Sequence, residues 1–406
     1  MSKSSFQEKL LERFCGKRPS SWKTIRLAEF FSERVERREP DASCPLYSFT
    51  IESGVTPKTD RYERSFLVKE DGEDSFKTVH PGDFVMNPMN LRWGAIGQSK
   101  TKAPVTVSGY YDVLIPKFNK GAGLLESLLR SYQILSLYDI VATGSLLEKK
   151  RVHCSQFLDL CIYWPPEPEV EKLCDILTTW DEALTQLDAL IEAQERRKKA
   201  LMQQLLTGRR RLKGFTDKWK ASRFGEFLVE SRIPGNDGSN ANKLTVKLYG
   251  RGVVPKQERL AGSENTGYYQ RKAGQFIYSK LDFLNGAFGI IPGSLDGYET
   301  TLDVPAFDVR PTADPQWLLH FVCREEFYSQ QLGAAAGGRK ARRVNPSEFL
   351  AMKILAPSIE EQRQIAAILD TADQQLTLLR TQRTALDQQK RGLMQRLLTG
   401  RLRVQA

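Results

Sequence analysis

The chain contains the sequence LMQQLLTGRRRL at residues 201–212 and, 192 residues later, LMQRLLTGRLRV at residues 393–404. The same offset aligns residues 151–212 with residues 343–404 without a gap, and 26 of those 62 positions are identical. Further upstream, WKTIRLAEFFSE from Trp22 matches WKASRFGEFLVE from Trp219. The chain is therefore a duplication, in which a variable module of about 130 residues is followed each time by a repeated segment of about 60.

The repeated segment has the start and stop signals of a long helix. Prolines precede each copy, and Gly208 and Gly400 follow the last apolar residues, where a left-handed C-terminal cap favours glycine. Between these signals, apolar residues recur at spacings of three and four, which is typical of a coiled coil. They are Val170, Leu173, Leu177, Trp180, Leu184, Leu187, Ile191, Leu201 and Leu205, then Ile365, Leu369, Ala372, Leu376, Leu379, Leu386, Leu393 and Leu397. Each helix of roughly 39 residues would reach about 58 Å.

Chain connectivity predicts the relative direction of the two helices. The second module begins shortly after the first helix ends and runs directly into the second helix, so paired helices must be antiparallel. Two globular heads with a coiled-coil bar between them would then be related by an approximate two-fold axis. Lys198 and Lys390 lie on the seam, and this register would bring them near Asp373 and Asp181 respectively.

The modules themselves combine strand and helix patterns. Residues 243–249, 275–278 and 307–310 favour short strands, whereas residues 121–136 and 315–331 favour helices. We therefore predict an α+β fold with an internal repeat. The predicted divisions are an N-terminal segment (1–21), a first head (22–164), a central long helix (165–212), a second head (213–356) and a C-terminal long helix (357–406).

Composition and charge narrow the classes of partner. Sixty Lys and Arg residues against 49 Asp and Glu give a net charge of +11, which suits a polyanion such as nucleic acid or an anionic membrane. The most apolar stretch, around residues 124–147, is interrupted by charged residues and falls short of the ~20 apolar residues of a membrane span. The first fifteen residues contain no apolar signal region, so we expect a cytoplasmic location and no membrane contact.

The sequence gives few signs of catalysis. Six cysteines form no CxxC pair and three histidines lie far apart, which predicts reduced thiols and no metal site. A GxxxxGK[ST] phosphate loop does not occur. The stretch NPMN at residues 87–90 lacks the second proline and the aromatic residue of an adenine-methyltransferase motif. A nuclease built from scattered carboxylates has no diagnostic spacing and stays an open alternative.

The order of these features resembles the DNA-sequence specificity subunit of a type I restriction-modification system. Each head opens with WK and contains PGDFVMNPMNLRWGAIG (81–97) or AGQFIYSKLDFLNGAFG (273–289), and each long helix ends in LLTGR. The resemblance covers nearly the whole chain. It implies two target-recognition domains, each reading one half of a split DNA site, and helices that act as a spacer and as a docking surface for two methyltransferase (modification) subunits.

The resemblance also implies further partners and the docking residues. Motor-nuclease (restriction) subunits would join the complex, and S-adenosylmethionine would be bound by the methyltransferase partner, with no cofactor in this chain. The stretch APSIEEQRQIAAIL (356–369) fits the family pattern and gives Glu361, Gln362 and Ile365 as docking candidates. The first copy keeps Glu169 but has Val170 in place of the glutamine, so docking on that side would differ in detail.

Candidate DNA contacts come from polar residues of the heads, because base edges are read by donors and acceptors whereas phosphate contacts only position the protein. They are Asn87, Asn90, Arg92 and Lys100 in the first head, and Arg251, Lys256, Arg259, Arg271, Lys280 and Asn285 in the second. The ordinary alternative for each is a solvated surface side chain. Four arginines outside the helices, in RRRLK and RKARR, are candidates for phosphate anchoring: Arg209, Arg211, Arg339 and Arg342.

Two other features are assigned structural roles. The RRKK cluster at residues 196–199 lies on the late turns of a helix, where cations complement the helix dipole. The glycines shared by the two heads are expected to shape a tight turn beneath the recognition surface. They are Gly94 and Gly97 in the first head and Gly286 and Gly289 in the second.

Three classes of function remain. A non-catalytic recognition subunit predicts binding to an asymmetric, two-part DNA sequence. A coiled-coil scaffold with non-specific DNA binding predicts salt-dependent binding without preference among duplexes. A self-contained DNA-modifying enzyme predicts activity from this chain alone.

Overall fold

The structure of the protein is a computed structural model. It describes residues 3–58, 76–118, 120–146, 149–257, 263–330 and 343–404, with side chains from residue 8 onward. It divides into two compact units, Met1–Gln186 with Thr384–Ala406, and Leu187–Arg383. Both boundaries fall inside the long helices, so each unit contains a part of both.

The first unit combines short strands with short helices before its long helix. Its elements, in chain order, are α1 (Lys3–Cys15), β1 (Lys23–Arg26), α2 (Leu27–Phe30), β2 (Phe31–Glu33), β3 (Tyr47–Thr50), β4 (Gly54–Pro57), β5 (Phe76–Val79), β6 (Phe84–Met86), β7 (Ile96–Gln98), β8 (Val105–Ser108), β9 (Asp112–Pro116), α3 (Ala122–Leu129), α4 (Tyr132–Val141), α5 (Cys154–Asp159), β10 (Cys161–Trp164) and the long helix α6 (Glu167–Leu205).

The second unit likewise has a run of short strands, three short helices and one strand before its long helix. Its elements are β11 (Lys220–Arg223), β12 (Leu228–Ser231), β13 (Ile233–Asp237), β14 (Leu244–Val246), β15 (Val253–Pro255), β16 (Gly267–Gln270), β17 (Phe276–Tyr278), β18 (Phe288–Ile290), β19 (Glu299–Thr300), β20 (Ala306–Val309), α7 (Pro315–Val322), α8 (Glu325–Ser329), α9 (Pro346–Ala351), β21 (Lys353–Ala356) and the long helix α10 (Ile359–Leu397).

The duplication seen in the sequence is also a duplication of sheets. Each unit has a four-stranded antiparallel sheet, in the order β2-β9-β6-β7 or β12-β20-β17-β18. Equivalent pairs share one register, since Val85 faces Gly97 and Ile277 faces Gly289. Each unit also has a two-stranded sheet, β1-β10 or β11-β21, that leads into its long helix. The predicted α+β class is confirmed.

Each unit buries its own aromatic core. In the first, the core includes Trp22, Phe31, Phe84, Phe157 and the first turns of α6, with the last turns of α10. In the second, the corresponding core is built around buried side chains from the sheet, α7, α9 and the start of α10: Phe224, Phe276, Trp317, Phe349, Ile365 and Leu369. Aromatic side chains supply large apolar area, which lets a compact head built from short strands bury a stable core.

Both long helices have the predicted character. Each is 39 residues long. A left-handed glycine follows three residues after each helix, Gly208 (φ 69°) or Gly400 (φ 66°), and the amides of Arg210 and Leu402 donate back to the carbonyls of Gln204 and Arg396. Such a cap satisfies carbonyls that the helix end would otherwise leave unpaired.

The helix segments within each unit are antiparallel, as predicted. In the second unit, Lys198 bonds Asp373 at 2.5 Å and Arg383 bonds Asp188 at 3.0 Å, so rising numbers in α6 meet falling numbers in α10. In the first unit, Lys390 bonds Asp181 at 2.5 Å, which is the equivalent pair in the repeat. The predicted partners of both seam lysines are therefore confirmed. No helix within the described ranges is apolar over a length that would cross a bilayer.

Candidate nucleic-acid interface

A buried glutamate in the first turn of α10 joins three segments of the second unit. Glu361 is 1% exposed. Arg211 donates from Nε to Oε1 and from Nη2 to Oε2, each at 2.8 Å, and Trp219 Nε1 donates to Oε2 at 3.1 Å. Bidentate arginine–carboxylate pairs are strong and geometrically specific. We call this arrangement the Trp–Glu–Arg clasp, and it ties the start of α10 to the end of α6 and to the start of the second head.

The first unit contains the same clasp. Arg403 donates to both oxygens of Glu169 at 2.8 Å, and Trp22 Nε1 donates to Oε2 at 2.9 Å. Burial alone would raise the pKa of Glu169, but the hydrogen bonds from Arg403 and Trp22 outweigh burial and hold that pKa below its ordinary value. The residues that follow α10 are thereby fixed to the start of the first head.

Sequence reasoning missed the clasp, although the signal was available. The offset of 192 residues relates Glu169 to Glu361 and Arg211 to Arg403, and the WK motifs contain the two tryptophans. The glutamate at the start of each long helix and the arginine just beyond its end are the same in both copies. Because both copies bury the same face, this repeated pair of opposite charges indicates an internal contact.

The structure contradicts the docking prediction for four buried residues. Glu169, Glu361, Gln362 and Ile365 are each 1–2% exposed. Gln362 accepts from the amide of Asp314 at 2.9 Å and donates to the carbonyl of Pro357 at 3.0 Å. These side chains hold the helix starts to the heads and are closed to a partner protein, so the docking prediction is wrong for them.

The same burial explains the departure noted in the first helix. Val170, which replaces the glutamine, is 4% exposed and packs in the first core. The position faces inward in both copies. Its change from glutamine to valine therefore alters packing inside the head.

The candidate residues of the first head differ in availability. Asn87 uses its side-chain oxygen to accept from the amides of Met89 (3.0 Å) and Asn90 (3.3 Å), which shapes the loop after β6. Arg92 is paired with Asp139 and its side chain is 9% exposed. Asn90 and Lys100 are exposed, and Lys100 lies on the wall of an open cavity of about 800 Å³.

Among the second head's candidates, the predicted DNA contact of Arg271 is wrong. It is 1% exposed and donates to Thr300 Oγ1 (2.7 Å) and to the carbonyls of Ser231 (2.8 Å) and Val304 (3.3 Å). Burial lowers its pKa to about 10. A guanidinium used in this way cross-links strands inside the head and cannot reach a DNA base.

The remaining candidates of the second head are open to solvent to different degrees. Arg251, Lys256 and Asn285 are exposed, and Lys280 is half-buried. Asn285 donates to Asp282 at 3.4 Å. Arg259 lies outside the described residues, so the structure does not bear on it.

The arginines predicted to anchor phosphate also differ in what the structure shows of them. The prediction that Arg211 contacts phosphate is wrong. Arg211 belongs to the clasp, and both of its terminal nitrogens donate to Glu361 or to a backbone carbonyl. Arg209 is exposed and stays a candidate. Arg339 and Arg342 lie outside the described residues.

The shared glycines serve two different purposes. Gly94 (φ 87°) and Gly286 (φ 66°) end the short 3-10 turns Leu91–Trp93 and Phe283–Asn285 in the left-handed conformation that glycine tolerates. Gly97 and Gly289 lie instead in β7 and β18, where the tight-turn interpretation is wrong.

A hairpin lies over each of these two strand glycines, and at Gly289 the packing leaves no room for a side chain. A Cβ at Gly289 would come within 2.5 Å of Val253 Cγ2, at the start of β15. A Cβ at Gly97 would meet Glu126 Oε1 first, at 3.0 Å, and would lie 3.4 Å from Phe49 Cε2, in β3, which is ordinary van der Waals contact. We call β3-β4 the first-head hairpin and β14-β15 the second-head hairpin. Each lies over the equivalent glycine of its sheet, with closer packing in the second head.

The chain has relatives at low sequence identity. No family model matches it. A curated protein of Methanocaldococcus jannaschii, assigned as the specificity subunit of the type I restriction enzyme MjaX, is 20% identical over 302 residues, covering 68% of this chain and 67% of that protein.

Solved structures share the fold. A chain from a structure on complex assembly and conformational transition of the type I restriction-modification system aligns with a TM-score of 0.59 at 17% identity, covering 95% of this chain and 100% of that one. The crystal structure of the S subunit of a type I system from M. genitalium aligns with a TM-score of 0.54 at 12% identity, covering 93% and 96%. The chain is thus similar in sequence to a type I restriction enzyme specificity subunit and has the α+β fold of solved proteins from type I restriction-modification systems.

Proposed function

We propose that the chain is the non-catalytic DNA-recognition subunit of a type I restriction-modification complex. Its heads, residues 22–164 and 213–356, would act as target-recognition domains that each read one half of an asymmetric, two-part site. The sequence similarity to a specificity subunit and the shared fold support this proposal. The net charge of +11 suits a polyanionic partner.

One observation carries the proposal. The two units repeat the same clasp, the same four-stranded sheet and a hairpin over the equivalent glycine, yet the polar residues around them differ. Asn90 and Arg92 of the first head correspond by the offset of 192 to Asp282 and Leu284 of the second. A duplicated active site would keep its polar side chains in both copies. A duplicated reader of two different half-sites needs them to diverge.

The proposed assembly includes two methyltransferase subunits and motor-nuclease subunits, in the cytoplasm. The methyltransferase partner would bind S-adenosylmethionine and perform the methyl transfer. This chain would supply the sequence specificity and would bind no cofactor itself.

Docking on the long helices is proposed through exposed apolar side chains. Leu190 on α6 is 46% exposed, and Ile368 and Leu378 on α10 are 37% and 59% exposed. A partner subunit that covered these side chains would remove their apolar surface from water, which favours association. These three residues replace the buried candidates that the sequence suggested.

Selection from a library of randomised duplexes tests the proposal. The full chain, in complex with its methyltransferase partner, is expected to enrich one asymmetric, two-part motif whose half-sites lie roughly 34 Å apart, about one helical turn. Affinity for every duplex should fall as salt rises, because phosphate contacts release counterions.

Two results would overturn the proposal. Salt-dependent binding that enriches no sequence would indicate a coiled-coil scaffold with non-specific DNA binding. Methylation or cleavage of DNA by this chain alone would indicate a self-contained enzyme.

A further inference from the structure

The turn at the tip of the second-head hairpin contains a residue that its backbone conformation disfavours. The amide of Arg251 donates to the carbonyl of Leu248 at 3.3 Å, and the two central residues, Tyr249 and Gly250, have φ of 59° and 64°. Positive φ at both positions is the combination of a type I′ turn, which strongly favours Asn-Gly. In the described part of the chain, Tyr249 is the one non-glycine residue with positive φ.

The head holds this turn in place. The amide of Tyr249 donates to the carbonyl of Asn285 at 3.0 Å, and the amide of Gly250 donates to the carbonyl of Gly286 at 2.8 Å. A Cβ at Gly250 would come within 2.7 Å of Cys323 Sγ. A disfavoured conformation persists where the surroundings fix it, and such residues cluster at functional sites.

The tip presents an aromatic ring and a cation to solvent. Tyr249 is 61% exposed, and the guanidinium carbon of Arg251 lies 5.9 Å from the centre of its ring. Residues 243–257 contain four basic and no acidic side chains. Unlike Arg92 and Arg211, Arg251 has no carboxylate partner among the described residues, so its donors are available to a ligand.

The first-head hairpin lies over the equivalent glycine, with looser packing, and has a different tip. Its connection between Thr50 and Gly54 carries Glu52 and no basic residue, and Arg130 Nη2 donates to the carbonyl of Ile51 at 2.6 Å. The structural support is thus repeated, while the chemistry at the tip is not. That difference is what two readers of unlike sequences require.

We propose that Arg251 reads a guanine in the half-site of the second head and that Tyr249 is a positioning residue for the Arg251 guanidinium. This inference rests on the proposed function and deepens it. A two-stranded ribbon fits the major groove, and arginine bound to guanine O6 and N7 is the commonest specific contact there. Contact with an aromatic face restricts the guanidinium before DNA arrives.

Duplex selection with variants of the full chain, in complex with its methyltransferase partner, tests the inference. Arg251→Lys keeps the charge but loses the bidentate geometry, so preference for guanine should fall about 5- to 150-fold at one position of one half-site. Tyr249→Asn suits the type I′ turn, so its Tm should equal or exceed that of the wild type while preference at the same position falls.

A matched variant and three outcomes make the test decisive. Glu52→Gln, at the first-head tip, should leave the half-site affected by Arg251→Lys unchanged, and a change there would overturn the assignment of that half-site to the second head. Equal weakening on all sequences by Arg251→Lys would make Arg251 a phosphate contact and overturn the inference. A wild-type motif that Arg251→Lys leaves intact would overturn the inference alone, whereas a wild type that enriches no motif would also remove the proposed function.

Discussion

Replacing Glu361 with glutamine should weaken the second unit selectively. Glu361→Gln keeps the side-chain volume but removes the charge that faces Arg211. The new amide NH2 group is itself a donor, so it would face another donor where the carboxylate oxygen now accepts. Hydrogen bonds to charged groups contribute ~1.5–3 kcal/mol each, and breaking a buried ion pair costs about 3–5 kcal/mol. The Arg211 side chain is 27% exposed, so water would hydrate part of the released charge. We therefore expect a loss of about 2–4 kcal/mol in the free energy of unfolding.

Urea unfolding of the full chain, combined with amide hydrogen exchange, measures this loss where it occurs. Exchange should accelerate in peptides from the first turns of α10 and change little in those from the first turns of α6. Glu169→Gln, the equivalent variant of the first unit, should give the opposite pattern.

Exposed neighbours provide the control for charge alone. Glu360→Gln and Glu167→Gln remove a carboxylate from the same first turns without touching a clasp, and each should cost less than about 1 kcal/mol through the helix dipole. The clasp account is refuted if Glu361→Gln destabilises no more than Glu360→Gln, or if both clasp variants accelerate exchange equally in both units.

Three further predictions follow from burial and packing. The folded-state pKa of Glu169 lies below its unfolded value of about 4.3. The stability that its clasp contributes should therefore be fully present above about pH 4.3 and be lost as pH falls through the folded-state pKa. Glu169→Gln should flatten this dependence in urea midpoints measured from pH 6 to pH 3. Gly289→Ala should cost about 1–3 kcal/mol in thermal unfolding, since its Cβ would clash with the stiff side chain of Val253, and an unchanged Tm would contradict that packing. Leu378→Lys should reduce co-purification of the methyltransferase partner without lowering Tm, and undiminished co-purification would remove Leu378 from the proposed docking surface.

The long-range organisation was predictable from the sequence because it depends on periodicity. A spacing of three and four residues, sustained across each helix, specifies a buried seam, and chain connectivity then requires an antiparallel pair. These two facts were enough to pair Lys198 with Asp373 and Lys390 with Asp181. The left-handed helix ends were equally accessible, since glycine at that position has a specific conformational cause.

The candidate site was predicted less well because residue type does not report burial. Arg271 and Arg211 were grouped with exposed cations, although one bridges strands and the other closes a clasp. Glu361 matched a family pattern, but resemblance marks buried structural residues as readily as exposed functional ones. Strands of two to five residues gave too few positions for a period-2 pattern to reveal the sheets.

Arg251 was a candidate from the sequence, but the turn that presents it escaped prediction for a different reason. Tyrosine is an unusual residue for the first central position of a type I′ turn, so the sequence gave no Asn-Gly signal at Tyr249-Gly250. The positive φ of Tyr249 is visible only in the backbone geometry. Only the packing of the turn against Asn285 and Gly286 explains how that conformation is held.

Single-molecule sequencing of methylated adenines tests the central claim most directly. The genome of a strain that carries this gene and expresses its methyltransferase partner would be compared with that of the deletion strain. We predict that deletion removes methylation from one asymmetric, two-part motif and that restoring the gene restores it. An unchanged methylation pattern, with the partner methyltransferase still present, would contradict the account of this chain as the subunit that selects the sequence.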